Sequence, residues 1–143
     1  MTVTQISVFL ENKCGRLAKV ASVLGENNIN IRALSIADTS DFGVLRLIVD
    51  NPQRSVEVLR AEGFAVSETD VIAVKVKDTP GGLAECLKTF NGCGANIEYM
   101  YAFAGSFQEN AIVIFKVEDV HRIGKLLQEA GTRLLTTEEL SRI

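Results

Sequence analysis

The clearest chemistry that this sequence offers is that of a helix N-terminus at Asp78–Leu83 (DTPGGL). Thr79 can cap a helix, Pro80 suits the first helical position, and Gly81 and Gly82 allow another molecule to approach the backbone. Free backbone N–H groups at the positive end of a helix dipole favour a carboxylate or a phosphate. The same residues also make a well-formed helix start that holds no ligand. The stretch alone therefore leaves both interpretations open.

The chain contains a second copy of this junction. Asn12–Ala18 (NKCGRLA) lies 66 residues before Asp78–Ala84 (DTPGGLA), with glycine, leucine and alanine at matching places. Asn27–Ile31 (NNINI) and Cys93–Ile97 (CGANI) match at the same offset. A repeat of this length predicts two domains, residues 1–69 and 70–143. Domains of about 70 residues are marginally stable alone, so we expect the two halves to pack together.

Hydrophobic periodicity predicts the same order of elements, βαββαβ, in both halves. Alternating residues predict the first and third strands of the first half: Ile6, Val8, Leu10, Leu45, Leu47 and Val49. A helical stripe follows each glycine turn, at Leu17, Val20, Ala21 and Leu24 and again at Leu83, Cys86, Leu87 and Phe90. Residues 39–43 (TSDFG) predict a hairpin, and residues 136–143 a last turn of helix.

The predicted fold class is α+β, with two tandem ferredoxin-like domains, each an antiparallel sheet with both helices on one face. In this topology the second strand lies at a sheet edge, and exposed edges are normally covered or paired. The two copies could join those edges, which predicts one eight-stranded sheet.

Composition and charge exclude several classes of function. The net charge of −3 and pI of about 5.2 give no electrostatic footprint for nucleic acid or an anionic membrane. No apolar run approaches the roughly 20 residues of a membrane span, and Met1–Leu10 lacks the features of a signal peptide. Three cysteines give no disulfide framework, so a reduced, cytoplasmic location is expected. His121, the one histidine, has no nucleophile or metal-ligand partner nearby in sequence, which predicts a surface position.

The stretches DTPGGLAECL…GANI and NKCGRLAKVASVL…NNINI resemble the ACT domain, a small βαββαβ regulatory module that binds amino acids. The resemblance covers nearly the whole chain as two tandem copies. It implies side-by-side pairing through the second strands, with ligand sites at the seam between copies. No cofactor and no metal are implied, and the lone Cys14 argues against metal-carrying ferredoxin-like domains, which need two thiols close together in that loop.

Carried onto this sequence, the resemblance implies two sites, each shared by the two copies. One joins Asn12, Cys14, Gly15, Arg16 and Leu17 to Asn96 and Ile97. The other joins Asp78, Thr79, Pro80, Gly81, Gly82 and Leu83 to Asn30 and Ile31. Backbone N–H groups would bind the carboxylate of an amino acid, and Asp78 would bind its ammonium group through a charge-assisted bond.

The first copy departs from the family pattern, since Asn12 stands where an acid is usual and Cys14 replaces the proline. The two sites are therefore expected to differ in affinity. Arg16 could bind a second carboxylate or lie in solvent, and solvent is the favoured expectation. Cys14 could be a redox sensor, because a helix N-terminus lowers a thiol pKa, or a small loop side chain. The predicted strand face of Tyr99, Tyr101 and Phe103 fits core packing and a ligand or partner surface equally.

The sequence favours a non-catalytic amino-acid sensor that signals to a separate protein, with a homodimer or a regulated enzyme as partner. An enzyme would need a base or nucleophile, and only scattered carboxylates and His121 are present. RNA-recognition domains share the βαββαβ order, but the third strand has only Phe42 at its start and the basic surface is missing. The remaining alternative is an assembly module that binds no small molecule.

Overall fold

The computed structural model describes residues 1–38 and 41–143, in which the chain forms two compact units. One unit is Thr4–Thr69, and the other is Asp70–Ile143 together with Met1–Val3. The described residues contain seven strands and five helices.

The first unit follows the predicted order. Its elements are β1 (Val3–Glu11), α1 (Arg16–Glu26), β2 (Ile31–Asp38), β3 (Phe42–Val49), α2 (Pro52–Ala61) and the start of β4 (Ala65–Lys77). The strand order is β2-β3-β1-β4, and β3 is antiparallel to both β1 and β2. β2 is therefore the edge strand that the topology predicts.

The core of the first unit lies on the face of the sheet that both helices cover. Ile6, Val8, Leu45 and Leu47 from the strands pack with Leu24, Val56 and Leu59 from the helices. The alternation seen in the sequence produces this face, because successive side chains of a strand point to opposite sides. Asn51 caps α2 by accepting a hydrogen bond from the Arg54 N–H at 3.1 Å, and Pro52 occupies the first helical position.

The second unit repeats the design with a shorter last strand. Its elements are the end of β4, α3 (Gly82–Gly92), β5 (Ile97–Phe107), β6 (Asn110–Val117), α4 (Val120–Glu129), β7 (Leu134–Leu135) and α5 (Thr137–Ser141). β6 lies between β4 and β5, and β7 pairs with β4 at Ala73 and Val74. β5 is thus an edge strand.

The core of the second unit is built from the same positions, with Val74, Val113 and Phe115 beneath Phe90 and Ile123. The rings of Phe90 and Phe115 lie 4.3 Å apart between centroids. The C-terminal helix α5 begins with a capping box, in which Thr136 and Glu139 bond each other's backbone N–H.

The described residues hold seven strands, and the expected count of eight is wrong. The last strand of the first copy and the first strand of the second are one strand, β4, which crosses the unit boundary at Thr69. The polar stretch Ser67–Asp70 (SETD) has no apolar alternation, yet it keeps an extended conformation with mostly exposed side chains.

Two further expectations are revised. Leu17 and Leu83, predicted in the buried stripes of their helices, are 44% and 40% exposed, and each is the second residue of its helix. The predicted hairpin at residues 39–43 includes Thr39 and Ser40, which lie outside the described residues.

Candidate functional site

The two glycine turns have the same backbone geometry. Gly15 and Gly81 are the residues that precede α1 and α3, with φ of 86° and 84°, in the left-handed region that glycine adopts without strain. Neither helix has a side-chain cap. The expectation that Thr79 caps α3 with Pro80 at the first helical position is therefore wrong, because the turn places Gly81 at that junction instead.

Each turn is followed by a pair of backbone N–H groups at the start of the helix. At α3, the Gly82 N–H donates to the Thr79 carbonyl at 2.9 Å and the Glu85 N–H to the Gly81 carbonyl at 3.0 Å. Between these donors, the N–H groups of Leu83 and Ala84 have no backbone acceptor in the described chain. Leu17 and Ala18 occupy the equivalent places at α1, and all four residues are exposed. Two adjacent N–H groups at a helix N-terminus can bind a carboxylate.

The residue after each turn differs between the copies. Gly82 is buried so closely against β4 that a Cβ atom would lie 2.0 Å from the Lys77 carbonyl oxygen. Arg16 occupies this place in the first copy, where the backbone leaves room for a side chain. Gly82 therefore holds the start of α3 directly on the end of β4.

Arg16 does not extend into solvent, which corrects the favoured expectation. The side chain is partly buried, and its guanidinium carbon lies 5.0 Å from the centroid of the Phe64 ring. This separation is within the range of a cation–π contact. The Nε of Arg16 is buried without a hydrogen-bond partner in the described chain.

A pocket of about 160 Å³ lies beside the first glycine turn. Asn12, Arg16 and Leu17 line it, together with Ile36 of β2 and Gly43 of β3. Cys14 and Gly15, predicted for the same site, are exposed but lie outside this lining. The structure thus places three of the five predicted loop residues around one cavity.

Glu11 also lines this pocket and carries a lowered pKa. The hydrogen bond and charge of Lys13, whose Nζ lies 2.8 Å from the Glu11 carboxylate, stabilise the ionised form.

In the second copy the predicted loop is open to solvent. Asp78, Thr79, Pro80 and Gly81 are all exposed. The loop thus carries an exposed carboxylate at Asp78, a few residues before the N–H groups of Leu83 and Ala84.

The two predicted asparagines have a fixed backbone and exposed side chains. The Asn30 N–H donates to the Asp50 carboxylate at 3.0 Å, and its carbonyl accepts from the Asp50 N–H at 3.2 Å. The Asn96 carbonyl accepts a hydrogen bond from the Glu118 N–H at 3.3 Å, which is equivalent to the second of these two bonds. Ile31 and Ile97, the next residues, are partly buried and start the edge strands.

The first unit by itself does not bring its glycine turn to its own asparagine. In the first unit, the turn lies beside Ile36 near the end of β2, whereas Asn30 precedes the start of β2. Six residues of strand separate them, about 20 Å at 3.3 Å per residue. A site that uses both therefore needs elements from two copies.

The sequence analysis did not identify the exposed apolar residues of the edge strands β2 and β5. Leu34 and Ile36 of β2 pair with Leu47 and Leu45 and so share the helix-covered face, yet they are 51% and 46% exposed. Met100 of β5 matches Leu34 in the repeat and is also exposed. The sequence contains a pattern that could have identified them, because a strand at the sheet edge with apolar residues on both faces predicts a covered edge.

The remaining side chains favour structural roles. Tyr101 and Phe103 are buried, and Tyr101 pairs with Ile114, on the face that α3 and α4 do not cover. Packing is therefore the better interpretation for these two rings. Tyr99 is partly buried and stacks on Tyr101 with 6.5 Å between centroids.

The reactive side chains are scattered. Cys14 is exposed, and burial raises the pKa of the partly buried Cys86 thiol. His121 is exposed, as predicted, with Nε2 3.4 Å from the Asp70 carboxylate. Across residues 1–38 and 41–143, no group of three His, Cys, Asp or Glu side chains is placed to hold a metal ion. No helix in that part of the chain has the length and apolar character needed to cross a membrane.

Comparison with known proteins gives the same family that the repeat suggested. A family model described as an ACT domain pair matches residues 1–143. The crystal structure of protein BT0572 from Bacteroides thetaiotaomicron is similar, with 39% identity, a TM-score of 0.92, and coverage of 100% of this chain and 98% of that one. Among curated proteins, none matches the sequence.

More distant structures share the fold. The ligand-free regulatory subunit of aspartate kinase from Thermus thermophilus is 22% identical with a TM-score of 0.63, over 89% of this chain and 91% of that one. The corresponding subunit from Thermus flavus is 20% identical with a TM-score of 0.58, over 90% and 92%. Since the family match spans every residue and agrees with the repeated glycine turns, this chain belongs to the ACT domain pair family.

Proposed function

We propose that this protein is a non-catalytic regulator that binds a small free amino acid where a glycine turn of one copy meets the start of the second strand of the other. The observation that carries the proposal is the pair of equivalent glycine turns, each with two exposed N–H groups at a helix N-terminus. One such turn is a common structural feature. Two at matching positions, each in a unit with an exposed asparagine before its edge strand, form a repeated arrangement.

The second-copy turn has the chemistry of a zwitterion site. The N–H groups of Leu83 and Ala84 would bind the ligand carboxylate, and Asp78 would accept hydrogen bonds from its ammonium group. The Asn30 amide would complete the site, because it both donates and accepts.

The first-copy turn offers a weaker version of the same site. The Leu17 and Ala18 N–H groups remain, but Asn12 replaces the carboxylate that would bind the ammonium group. Hydrogen bonds to a charged partner are roughly twice as strong as neutral ones. We therefore expect the turn at Asp78 to bind an amino acid more tightly than the turn at Asn12.

Pairing of the edge strands would form the seam. When two β2-type strands pair antiparallel, the end of one lies beside the start of the other, which is the combination that each site needs. The exposed Leu34, Ile36 and Met100 support such pairing, since apolar residues on an open edge favour a partner. The partner strand would come from the other copy in a second chain of a homodimer, since β2 and β5 do not pair with each other within the described part of the chain.

The output of binding would pass to another protein. A ligand that bridges two edge strands stabilises their paired state, and this differential affinity is what allosteric signalling requires. The regulatory subunits of aspartate kinase show that this fold occurs in regulatory proteins. A cytoplasmic protein that controls an enzyme of amino-acid metabolism fits these features.

The exposed edges also favour a second candidate, an assembly module that binds no small molecule. Leu34, Ile36 and Met100 would drive pairing in the absence of any ligand. The two candidates differ in one respect: only the first predicts that an amino acid changes stability.

The experiment is a thermal-shift screen of the full chain against the twenty amino acids. A ligand at one hundred times its dissociation constant adds about 2.7 kcal/mol to the free energy of unfolding. For a chain of this size, that raises Tm by roughly 5–10 °C.

Matched variants locate the site. Asp78→Asn should remove most of the shift, whereas Glu129→Gln, an exposed charge change at the end of α4, should leave it intact. A flat response to all twenty amino acids, with an unchanged oligomeric state, would leave the assembly module as the better function.

A further inference from the structure

The pocket beside the first glycine turn exists because one strand residue has no side chain. Leu10 of β1 pairs directly with Gly43 of β3, so both lie on the helix-covered face of the sheet. Leu45 and Leu47 fill the next positions of β3 on that face, whereas Gly43 has no side chain to fill its own. Leu10 and Gly43 both line the pocket of about 160 Å³. The missing side chain therefore leaves space beside the start of α1.

The side chains that border this space from the same face are apolar. Leu17 of α1 and Ile36 of β2 line the pocket, and Ile36 shares the helix-covered face because it pairs with Leu45. Leu17 and Ile36 are 44% and 46% exposed, although both are large and apolar. Exposed apolar residues that cluster around a cavity mark ligand-binding grooves. The pocket thus has apolar walls from β1, α1 and β2.

The charged residues of the lining are engaged elsewhere. Glu11 follows Leu10 in β1, so its side chain points to the opposite face of the sheet, and its carboxylate lies 2.8 Å from the Lys13 Nζ. The guanidinium of Arg16 lies at the Phe64 ring, and Phe64 is not part of the lining. A charged or polar group of a ligand inside the pocket would therefore meet apolar side chains in place of water, which is costly.

We infer that the first-copy turn binds an amino acid with a branched aliphatic side chain of three or four carbons, the class of valine, leucine and isoleucine. This inference rests on the proposed function for the carboxylate and ammonium ends of the ligand, and the pocket adds its side chain. A cavity of about 150 Å³ lined by Leu, Ile and Phe binds benzene. A pocket of about 160 Å³ therefore has room for a branched four-carbon chain, and an indole ring is too large for it.

The second copy has different residues at the two positions that shape this pocket. Ala111 occupies the place of Gly43, because each pairs with the last inward residue of the first strand of its copy. Ala102 occupies the place of Ile36 at the repeat offset of 66 residues, and it is exposed. A methyl group thus takes up part of the space, and one apolar wall is shorter. The aliphatic preference is therefore expected at the first-copy turn and not at the second.

The test is an NMR titration of the ¹⁵N-labelled full chain with leucine, asparagine, alanine and tryptophan. The amide signals of Leu17 and Gly43 report the first-copy pocket, and those of Leu83 and Ala84 report the second-copy turn. Asparagine has nearly the shape of leucine but a polar side chain, and alanine lacks three of the side-chain carbons. All four compounds carry the same carboxylate and ammonium group, so differences between them come from the side chain.

We expect leucine to shift the Leu17 and Gly43 signals with saturation. Each buried CH₂ group is worth about fourfold in affinity, so alanine should bind at least tenfold more weakly. Asparagine should also bind at least tenfold more weakly, because its amide would be buried among apolar walls. Tryptophan should not saturate these signals at the concentration at which leucine does.

A variant and its matched control test the space at Gly43. Gly43→Ala introduces the residue of the second copy and should weaken leucine binding at least fourfold, measured at the Leu17 signal, while alanine binding changes less than twofold. Gly92→Ala adds the same methyl group to α3, where it meets no atom within 4 Å, and should leave both affinities within twofold. The comparison of ligands on the unmodified chain does not depend on the folding of either variant.

Alanine or asparagine that binds at Leu17 and Gly43 as tightly as leucine would overturn this inference and leave the proposed amino-acid site intact. A leucine response confined to Leu83 and Ala84 would do the same. Unchanged leucine affinity in Gly43→Ala would also overturn the inference, because the space at Gly43 would then have no part in binding. Failure of all twenty amino acids in the thermal-shift screen, by contrast, would remove the proposed function itself.

Discussion

Gly82 gives the sharpest test of how the α3 turn is built. Replacing it with alanine places a Cβ atom 2.0 Å from the Lys77 carbonyl oxygen and 3.0 Å from the Lys77 carbonyl carbon. Ordinary contacts begin near 3.4 Å, and the obstructing atoms are backbone, so α3 and the end of β4 must separate by more than 1 Å. Overpacking of this kind costs about 1–3 kcal/mol, against a gain of about 0.4–1 kcal/mol from the stiffer unfolded chain.

The expected result for Gly82→Ala is a loss of about 1–2 kcal/mol in the free energy of unfolding, measured by urea denaturation followed by circular dichroism. The matched control is Gly92→Ala at the other end of the same helix, where an added Cβ meets no atom within 4 Å and φ is not positive. The control should be neutral or stabilising by up to about 1 kcal/mol. Equal stability of the two variants would show that α3 does not lie against Lys77 as described.

Other perturbations separate local contributions. Asn51→Ala removes the side-chain acceptor at the start of α2 and should lower the free energy of unfolding by about 1 kcal/mol. Asn51→Asp keeps an acceptor and should be nearly neutral. Equal losses for the two variants in urea denaturation would argue against the cap. Arg16→Met keeps an apolar side chain over Phe64 and removes a buried Nε that has no hydrogen-bond partner in the described chain. The free energy of unfolding should therefore change by less than about 1 kcal/mol. A larger loss would mean that the guanidinium has a further partner. Hydrogen bonds from the Thr136 N–H and from Arg133 lower the pKa of Glu139 below its ordinary value. The stability that Glu139 contributes is therefore present above that ordinary pKa and is lost as pH falls through the lower pKa of the folded state. Glu139→Gln should therefore flatten the acid side of the stability–pH curve, and an unchanged slope would contradict that assignment.

The sequence predicts the order of the strands and helices well, because the hydrophobic periodicity and the internal repeat both indicate the same order. The inward positions of β1 and β3 follow from strict alternation, and the offset of 66 residues places the second glycine turn where the first predicts it. The uninterrupted β4 was not predictable, since Ser67–Asp70 is extended without an apolar pattern to mark it.

The candidate site was predictable in its backbone and less so in its side chains. Glycine at residues 15 and 81 indicates a special conformation, and both have positive φ. The sequence did not show whether α3 begins at Pro80 or after Gly81, because either residue is compatible with the first turn of a helix.

The position of Arg16 depends on Phe64, which is far away in sequence. No local sequence pattern indicates that contact, because the two residues are 48 positions apart (64 − 16 = 48).

The most direct test of the amino-acid site is an NMR titration of the ¹⁵N-labelled protein with the amino acid that gives the largest thermal shift. We expect the amide signals of Leu83 and Ala84 to move together with the side-chain amide signal of Asn30, following one dissociation constant. Saturable binding that moves the signals of the α3 turn while Asn30 stays unchanged would contradict a site shared between the copies.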